Sequence, residues 1–222
     1  MFVFKNIWFS FGSLLFWYKD FVNKVGEDKT CLLMHTDVND QHGQPLEYLV
    51  DHLGLGGGQV MFSKEKVPPD QMRSFYNLAD CTVCISDAEG FGLSANESLA
   101  CGTPIIATKT GGLTEQVTDG ENEFGVALEP SSKAVIGSLS VPWIYEDRLC
   151  KDDVVAAMEK MYKMSPKERD ELGRLGIEHI EKNYNFENMK NSWVKIMEEV
   201  YEENGSWSTR KNHSNRWGFN KI

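Results

Sequence analysis

The sequence predicts an α/β chain, a Rossmann-like doubly wound parallel sheet with extra C-terminal helices. Three observations predict it. Short runs rich in Val, Ile, Leu or Cys recur, each bounded by Gly, Pro, Asp or Asn. Segments of helical pattern alternate with them in strict succession, which argues for a parallel sheet covered on both faces. Right-handed crossovers then leave the doubly wound topology as the economical one.

Taken in order, residues 1–25 form an atypical N-terminal segment, with an apolar stretch over 7–18 and a helix predicted over 12–25. That stretch is too short to span a bilayer, is flanked only by Lys5 and is followed by no small-residue cleavage site, so no integral membrane segment is expected. Strands are predicted over 30–36, 59–62, 81–86, 104–108 and 125–128, with helices over 45–53, 69–78, 92–101 and 113–117 between them. Gly56, Gly57 and Gly58 precede a strand, which makes them a flexible connection and not a phosphate cradle. Beyond Glu129 the alternation stops, and residues 131–149 read as a long irregular connection before three helices. Ser165 and Glu168 form a capping box with Pro166 at the first helical position. Asn185 opens the last helix, whose Phe186, Met189, Trp193, Ile196, Met197, Val200 and Tyr201 share one apolar stripe suited to a core or an interface. One domain is expected over 1–203, and the Gly/Ser/Asn-rich tail over 204–222 is expected to be disordered.

At 41% hydrophobic and 25% charged the chain has the composition of a folded domain. A net charge of −10 excludes sequence-independent binding to nucleic acid, which needs a basic surface. Five cysteines scattered through apolar segments do not make a disulfide framework, so a cytoplasmic location is expected, with peripheral contact to a membrane left open. Cys81 and Cys84 have metal-like spacing but lie in a predicted strand, where residues three apart point to opposite faces, so they are read as buried structural thiols.

Ligands of such sheets bind at the carboxyl ends of the strands, so the strand-to-helix loops hold the chemistry. The most informative stretch is Glu89-Gly90-Phe91-Gly92-Leu93-Ser94-Ala95-Asn96-Glu97, followed by Ala100-Cys101-Gly102-Thr103-Pro104-Ile105-Ile106-Ala107 and Thr110-Gly111-Gly112-Leu113-Thr114-Glu115. A glycine-containing turn here delivers the chain into a helix near Gly92, whose free first-turn amides and dipole favour a diphosphate. Glu89 and Glu97 bracket that turn. Carboxylates so close to a phosphate need another partner, and vicinal hydroxyls are the natural one, so a nucleotide-sugar would satisfy the whole arrangement. Taken by themselves, an exposed helix glutamate at 97 and a helix-dipole partner at 89 remain open. His35 and Asp37 follow another strand. His35 is read as a hydrogen-bonded histidine at a strand end, and Asp37 as a loop carboxylate without an assigned role.

These blocks together resemble the donor-binding C-terminal domain of retaining glycosyltransferase family 4 (group 1 glycosyltransferases), one half of a GT-B fold, over residues 30–201. The resemblance implies transfer of a hexose from a nucleoside diphosphate sugar, which is donor substrate and not cofactor. Glu89 would be the catalytic-site carboxylate facing the transferred sugar, and Glu97 would hold the ribose. Phe91, Gly92 and Leu93 would offer amides to the sugar and diphosphate. Gly111 and Gly112 would let the chain pass close to the donor, and the loop with Ser63, Lys64 and Val67 would edge the base.

The sequence departs from the family in two respects. The usual Arg and Lys after the first strand are missing from Asn6-Ile7-Trp8-Phe9-Ser10-Phe11-Gly12, with Lys64, Lys66 or Lys109 as positional substitutes. An acceptor domain ahead of the first strand is also missing, which implies an acceptor-domain partner chain or an inactive remnant, with the apolar N-terminal stretch and the last helix as exposed patches awaiting a partner. A non-catalytic nucleotide-sugar-binding module and a GT-B nucleotide-sugar epimerase are the alternatives. No metal site is expected, because no Asp-x-Asp pair sits at a cleft loop.

Overall fold

The computed structural model describes residues 2–5, 11–40 and 43–211. In chain order they form β1 (Phe2–Lys5), α1 (Phe11–Val25), β2 (Leu32–His35), α2 (Leu46–His52), β3 (Val60–Ser63), α3 (Pro69–Leu78), β4 (Cys81–Cys84), α4 (Leu93–Ala100), β5 (Ile105–Thr108), α5 (Leu113–Val117) and β6 (Gly125–Leu128). There follow β7 (Ser132–Ser138), β8 (Val141–Arg148), α6 (Lys151–Lys163), α7 (Pro166–Asn183) and α8 (Phe186–Asn204). Contacts divide the chain into two compact units, Met1–Ile180 and Glu181–Ile222.

The first unit is built on a six-stranded sheet in the order β3-β2-β1-β4-β5-β6. Every pairing in it is parallel. Parallel strands covered on both faces are apolar without alternation, and all four residues of β4 and of β5 are accordingly buried. The helices group by contact into two layers, with α1 touching α2 and α6, and α4 touching α3 and α5. Strand order reverses between β1 and β4, and such a reversal opens a crevice at the carboxyl ends of the strands.

Three expectations change. First, β1 lies in the interior of the sheet, whereas the N-terminal segment was read as atypical, the apolar pattern assigned no strand before residue 30, and only the family resemblance placed a first strand ahead of Asn6. Its run, Phe-Val-Phe-Lys, is separated from the apolar stretch over 7–18 only by Asn6, so the sequence does not set it off as a run of its own. Second, the apolar stretch over 7–18 is not an exposed patch where it is described. Leu14, Leu15 and Tyr18, with Phe21 and Val22 beyond them, are fully buried on α1. Third, the irregular connection over 131–149 is an antiparallel hairpin, β7 pairing β8. Pro142 inside β8 and the absence of an apolar alternation hid it, because a two-stranded ribbon tolerates Pro at an unpaired position and has no covered face to enforce a period.

Cys81 and Cys84 are both fully buried in β4, as read. The capping box also forms. Ser165 N and Oγ each donate to Glu168 Oε2 at 2.7 Å, and Glu168 N donates to Ser165 Oγ at 3.3 Å.

In the second unit Asn185 caps α8, its Oδ1 accepting from Asn188 N at 2.8 Å. The stripe of α8 is exposed throughout, Trp193 at 56% and Tyr201 at 60%. Residues 205–211 make a turn in which Arg210 lies 3.7 Å over the Trp207 ring. The rest of the expected disordered tail, 212–222, lies outside the described residues.

Candidate functional site

The site is assembled where the loops after β4 and β5 meet. Leaving β4, Ser86 is buried and folds the turn on itself, its Oγ donating to Ala88 O at 2.8 Å while its N donates to Thr108 Oγ1 at 3.2 Å. The chain reaches Gly92 in the left-handed region, φ 87°, and enters α4 there. Gly92 is the N-cap residue, so no side chain caps the helix, and the first turn carries no acid. The backbone bonding of the helix begins with Ala95 N and Asn96 N, which both donate to Gly92 O at 3.1 Å, so the amides ahead of them lie at the open helix end, the geometry that receives an anion.

The loop after β5 clamps this turn. Gly112 N donates to Gly90 O at 2.9 Å. Gln116, fully buried on α5, donates from Nε2 to Phe91 O. Gly111 sits at φ 49°, and a Cβ there would overlap the carbonyl oxygen of Glu89. A Cβ on Gly112 would come 2.5 Å from Phe91 O and 2.8 Å from Gly90 O. The two glycines are therefore required for the loops to touch.

Glu97 is half-buried on α4, and the Tyr76 hydroxyl of α3 donates to its Oε2 at 2.6 Å. Tyr76 is itself buried and held from above, Thr103 Oγ1 donating to its carbonyl at 2.8 Å. Burial first, and then the hydrogen bond and charge of Glu97, push the phenol far above its ordinary range, so it remains a donor. Glu89 is half-buried on the turn, its Oε1 accepting from Gly90 N at 3.1 Å. The Cys84 thiol behind it is pushed up to about 12 by burial and then by the charge of Glu89, so it stays protonated.

The structure thus brings Glu89, Phe91, Gly92, Leu93, Gly111 and Gly112 into one corner and anchors Glu97 behind it. Phe91 and Leu93 are exposed, at 43% and 69%, so their side chains leave the backbone accessible. Ser63, Lys64 and Val67 follow β3, with β2 and β1 lying between that strand and β4. Ser63 Oγ lies 3.0 Å from His35 Nδ1, which makes His35 the hydrogen-bonded strand-end histidine expected. Asp37 closes its own turn, accepting from Asn39 N at 2.9 Å. Of the three substitute lysines, Lys64 is ion-paired with Glu47 and Lys109 with Glu129 at 2.5 Å, while Lys66 is exposed. Residues 6–10, where the usual basic pair would stand, lie outside the described residues. Among the described residues no three His, Cys, Asp or Glu side chains converge to hold a metal ion.

Residues 37–140 match the family model for glycosyl transferases group 1, a span that includes both glutamates and the glycine pair. Over that span, just under half of the chain, the sequence is similar to the group 1 glycosyltransferases. A similar curated protein is the D-inositol 3-phosphate glycosyltransferase of Acidothermus cellulolyticus, 46% identical over 68 residues, or 31% of this chain and 15% of that protein. Among solved structures, the C-terminal domain of the glycosyl transferase group 1 family protein LpcC from Francisella tularensis superposes with a TM-score of 0.59 at 25% identity, covering 83% of this chain and 85% of that one. Anabaena HepE in complex with UDP and glucose has a TM-score of 0.65 at 14% identity, covering 89% of this chain and 48% of HepE, a likeness of fold. The matched stretch spans about one seventh of the A. cellulolyticus protein, and the whole chain spans about half of HepE. The fold is the α/β half of a GT-B architecture, as expected.

Sequence reasoning missed Tyr76 and Gln116, which hold the group 1 motif in place. The only trace of Tyr76 is its i,i+4 spacing from Met72, both on the buried face of α3. Gln116 is one of three polar residues in the five-residue α5, so nothing in the sequence set it apart.

Proposed function

We propose that this chain is the donor-binding half of a retaining glycosyltransferase and holds a nucleoside diphosphate sugar at the mouth of α4. The observation that carries this is the uncapped N-terminus of α4, flanked by Glu89 and Glu97 and walled by Gly111 and Gly112. Amides fixed by packed loops stabilise the charge that develops on a departing diphosphate without having to reorganise, and such preorganised donors are the strongest means of lowering the barrier that this site holds. Glu89 accepts hydroxyls of the transferred sugar. Glu97, oriented by the Tyr76 hydroxyl, accepts from the ribose diol. Phe91, Gly92 and Leu93 supply backbone amides, and Ser63, Lys64 and Val67 edge the base. The UDP and glucose carried by HepE support the ligand class. No separate cofactor or metal is required. Five free cysteines fit a reducing cytoplasm, and among the described residues no helix is long and apolar enough to cross a membrane.

Calorimetry with UDP-, GDP- and ADP-sugars tests donor binding. One of them is expected to bind, and Glu97→Ala to weaken it about 10- to 100-fold. Equal affinity in the variant would refute the assignment. The ion pairs that occupy Lys64 and Lys109 favour a second possibility, a donor-binding module without catalysis. Donor hydrolysis or transfer, assayed with and without a supplied acceptor domain, separates the two.

A further inference from the structure

A second hollow, of about 370 Å³, lies against the same β4–α4 loop and shares none of the residues assigned to the donor. Its walls include Ser13 and Trp17 of α1, Asp87 of the loop, and Ile136, Glu146 and Arg148 of the hairpin. The hairpin is clipped to the loop, Asp147 N donating to Asp87 O at 2.7 Å. Arg148 lies between the acids, 2.8 Å from Glu146 Oε2 and 3.4 Å from Asp87 Oδ2, and donates to Asp147 O at 2.9 Å. Glu146 is only 6% exposed, so it is a buried carboxyl group whose partner in the wall is the Arg148 guanidinium.

Charge and shape decide what such a hollow can take. One guanidinium against two carboxylates leaves the wall net negative, which disfavours a phosphate and means that Arg148 does not replace the missing diphosphate cations. A planar guanidinium set between carboxylates offers donors and acceptors side by side, the pattern that hydroxyl groups satisfy because each both donates and accepts. The Trp17 ring and Ile136 give the apolar surface that the C–H face of a ring covers. We propose that this hollow is a polyol subsite, built by the β7–β8 hairpin, for a hexose or cyclitol ring held beside the glycosyl group at the α4 mouth. Its place next to the reacting sugar rests on the donor assignment above. Asp87 is two residues from Glu89, so their Cα atoms are at most about 7 Å apart.

The full chain, labelled for NMR, is titrated separately with methyl α-D-glucopyranoside, with myo-inositol and with UDP, following the Trp17 indole N–H and the Arg148 Nε–H. One of the two polyols is expected to shift both signals saturably, with half-saturation on the order of 1–10 mM for so small a ligand. Glu146→Gln is expected to weaken that response at least about fivefold while UDP binds within about twofold of the wild type. Because a buried position can cost the fold, Ser13→Ala, at an exposed position in the first turn of α1, is the second variant, with a smaller weakening of the same response. No saturable shift of Trp17 and Arg148 with either polyol overturns the subsite, whether or not UDP binds. Polyol binding without UDP binding upholds the subsite and removes the donor assignment.

Discussion

The corner formed by the loops after β4 and β5 differs from the β7–β8 hairpin in what orders it. In the corner every strand residue is buried, and backbone meets backbone through Gly111 and Gly112. In the hairpin Val135, Trp143, Ile144 and Tyr145 are exposed at 53, 68, 45 and 73%, and order comes from the cross-strand ladder and from the clip at Asp87. The first region tolerates almost no change of volume, and the second should tolerate large ones except at its base.

Substitutions of similar chemical type probe that difference. Leu99→Ala, at a fully buried position on α4, is expected to lower the unfolding free energy by about 2–5 kcal/mol in urea titrations. A loss below about 1 kcal/mol would show that the corner is looser than its burial indicates. Gly111→Ala must move the Glu89 carbonyl or leave φ 49°, for an expected loss of about 2–4 kcal/mol together with nucleotide-sugar binding, read by denaturation and calorimetry. Tyr76→Phe removes one hydrogen bond to a carboxylate, so about 1–2 kcal/mol of stability is expected to go, with weaker donor binding that falls further when Glu97→Gln is added, read by denaturation and calorimetry. Trp143→Ala in the hairpin is expected to change stability by less than about 1 kcal/mol, and a larger loss would place the hairpin inside the cooperative core.

The smallest effect is one of pH, at a surface turn. Asp119 is held down to about 2, first by its hydrogen bond from the Asn122 backbone and then by the Asn122 side chain and the Glu121 backbone. A carboxyl depressed in the folded state contributes stability above its unfolded value, near 3.8. That contribution is lost as pH falls from about 4 toward 2. Carboxyl-carbon NMR titration of Asp119 checks this, and a midpoint near 4 would mean that the turn is open in solution.

The parallel sheet was legible in the linear chain because burial on both faces imposes near-continuous apolar runs, and helix ends such as Ser165 and Asn185 announce themselves by local capping chemistry. The loop after β4 was legible too, since a glycine turn, a helix mouth and two flanking carboxylates are short-range features. Short range is also where legibility ended. That Tyr76 reaches Glu97 across α3 and α4, that Gln116 holds Phe91, and that Arg148 links the hairpin to Asp87 depend on contacts 21, 25 and 61 positions apart, which no local pattern encodes. β1 and the hairpin likewise became strands only through partners distant in sequence or through a ribbon with no buried face to stamp a period on it. Local chemistry thus carried the helix mouth and its acids, whereas three-dimensional packing alone determined which side chains hold those acids and which second hollow stands beside them. The physical reason is that hydrogen bonds and close contacts are set by distance in space, and only the fold converts residue number into distance.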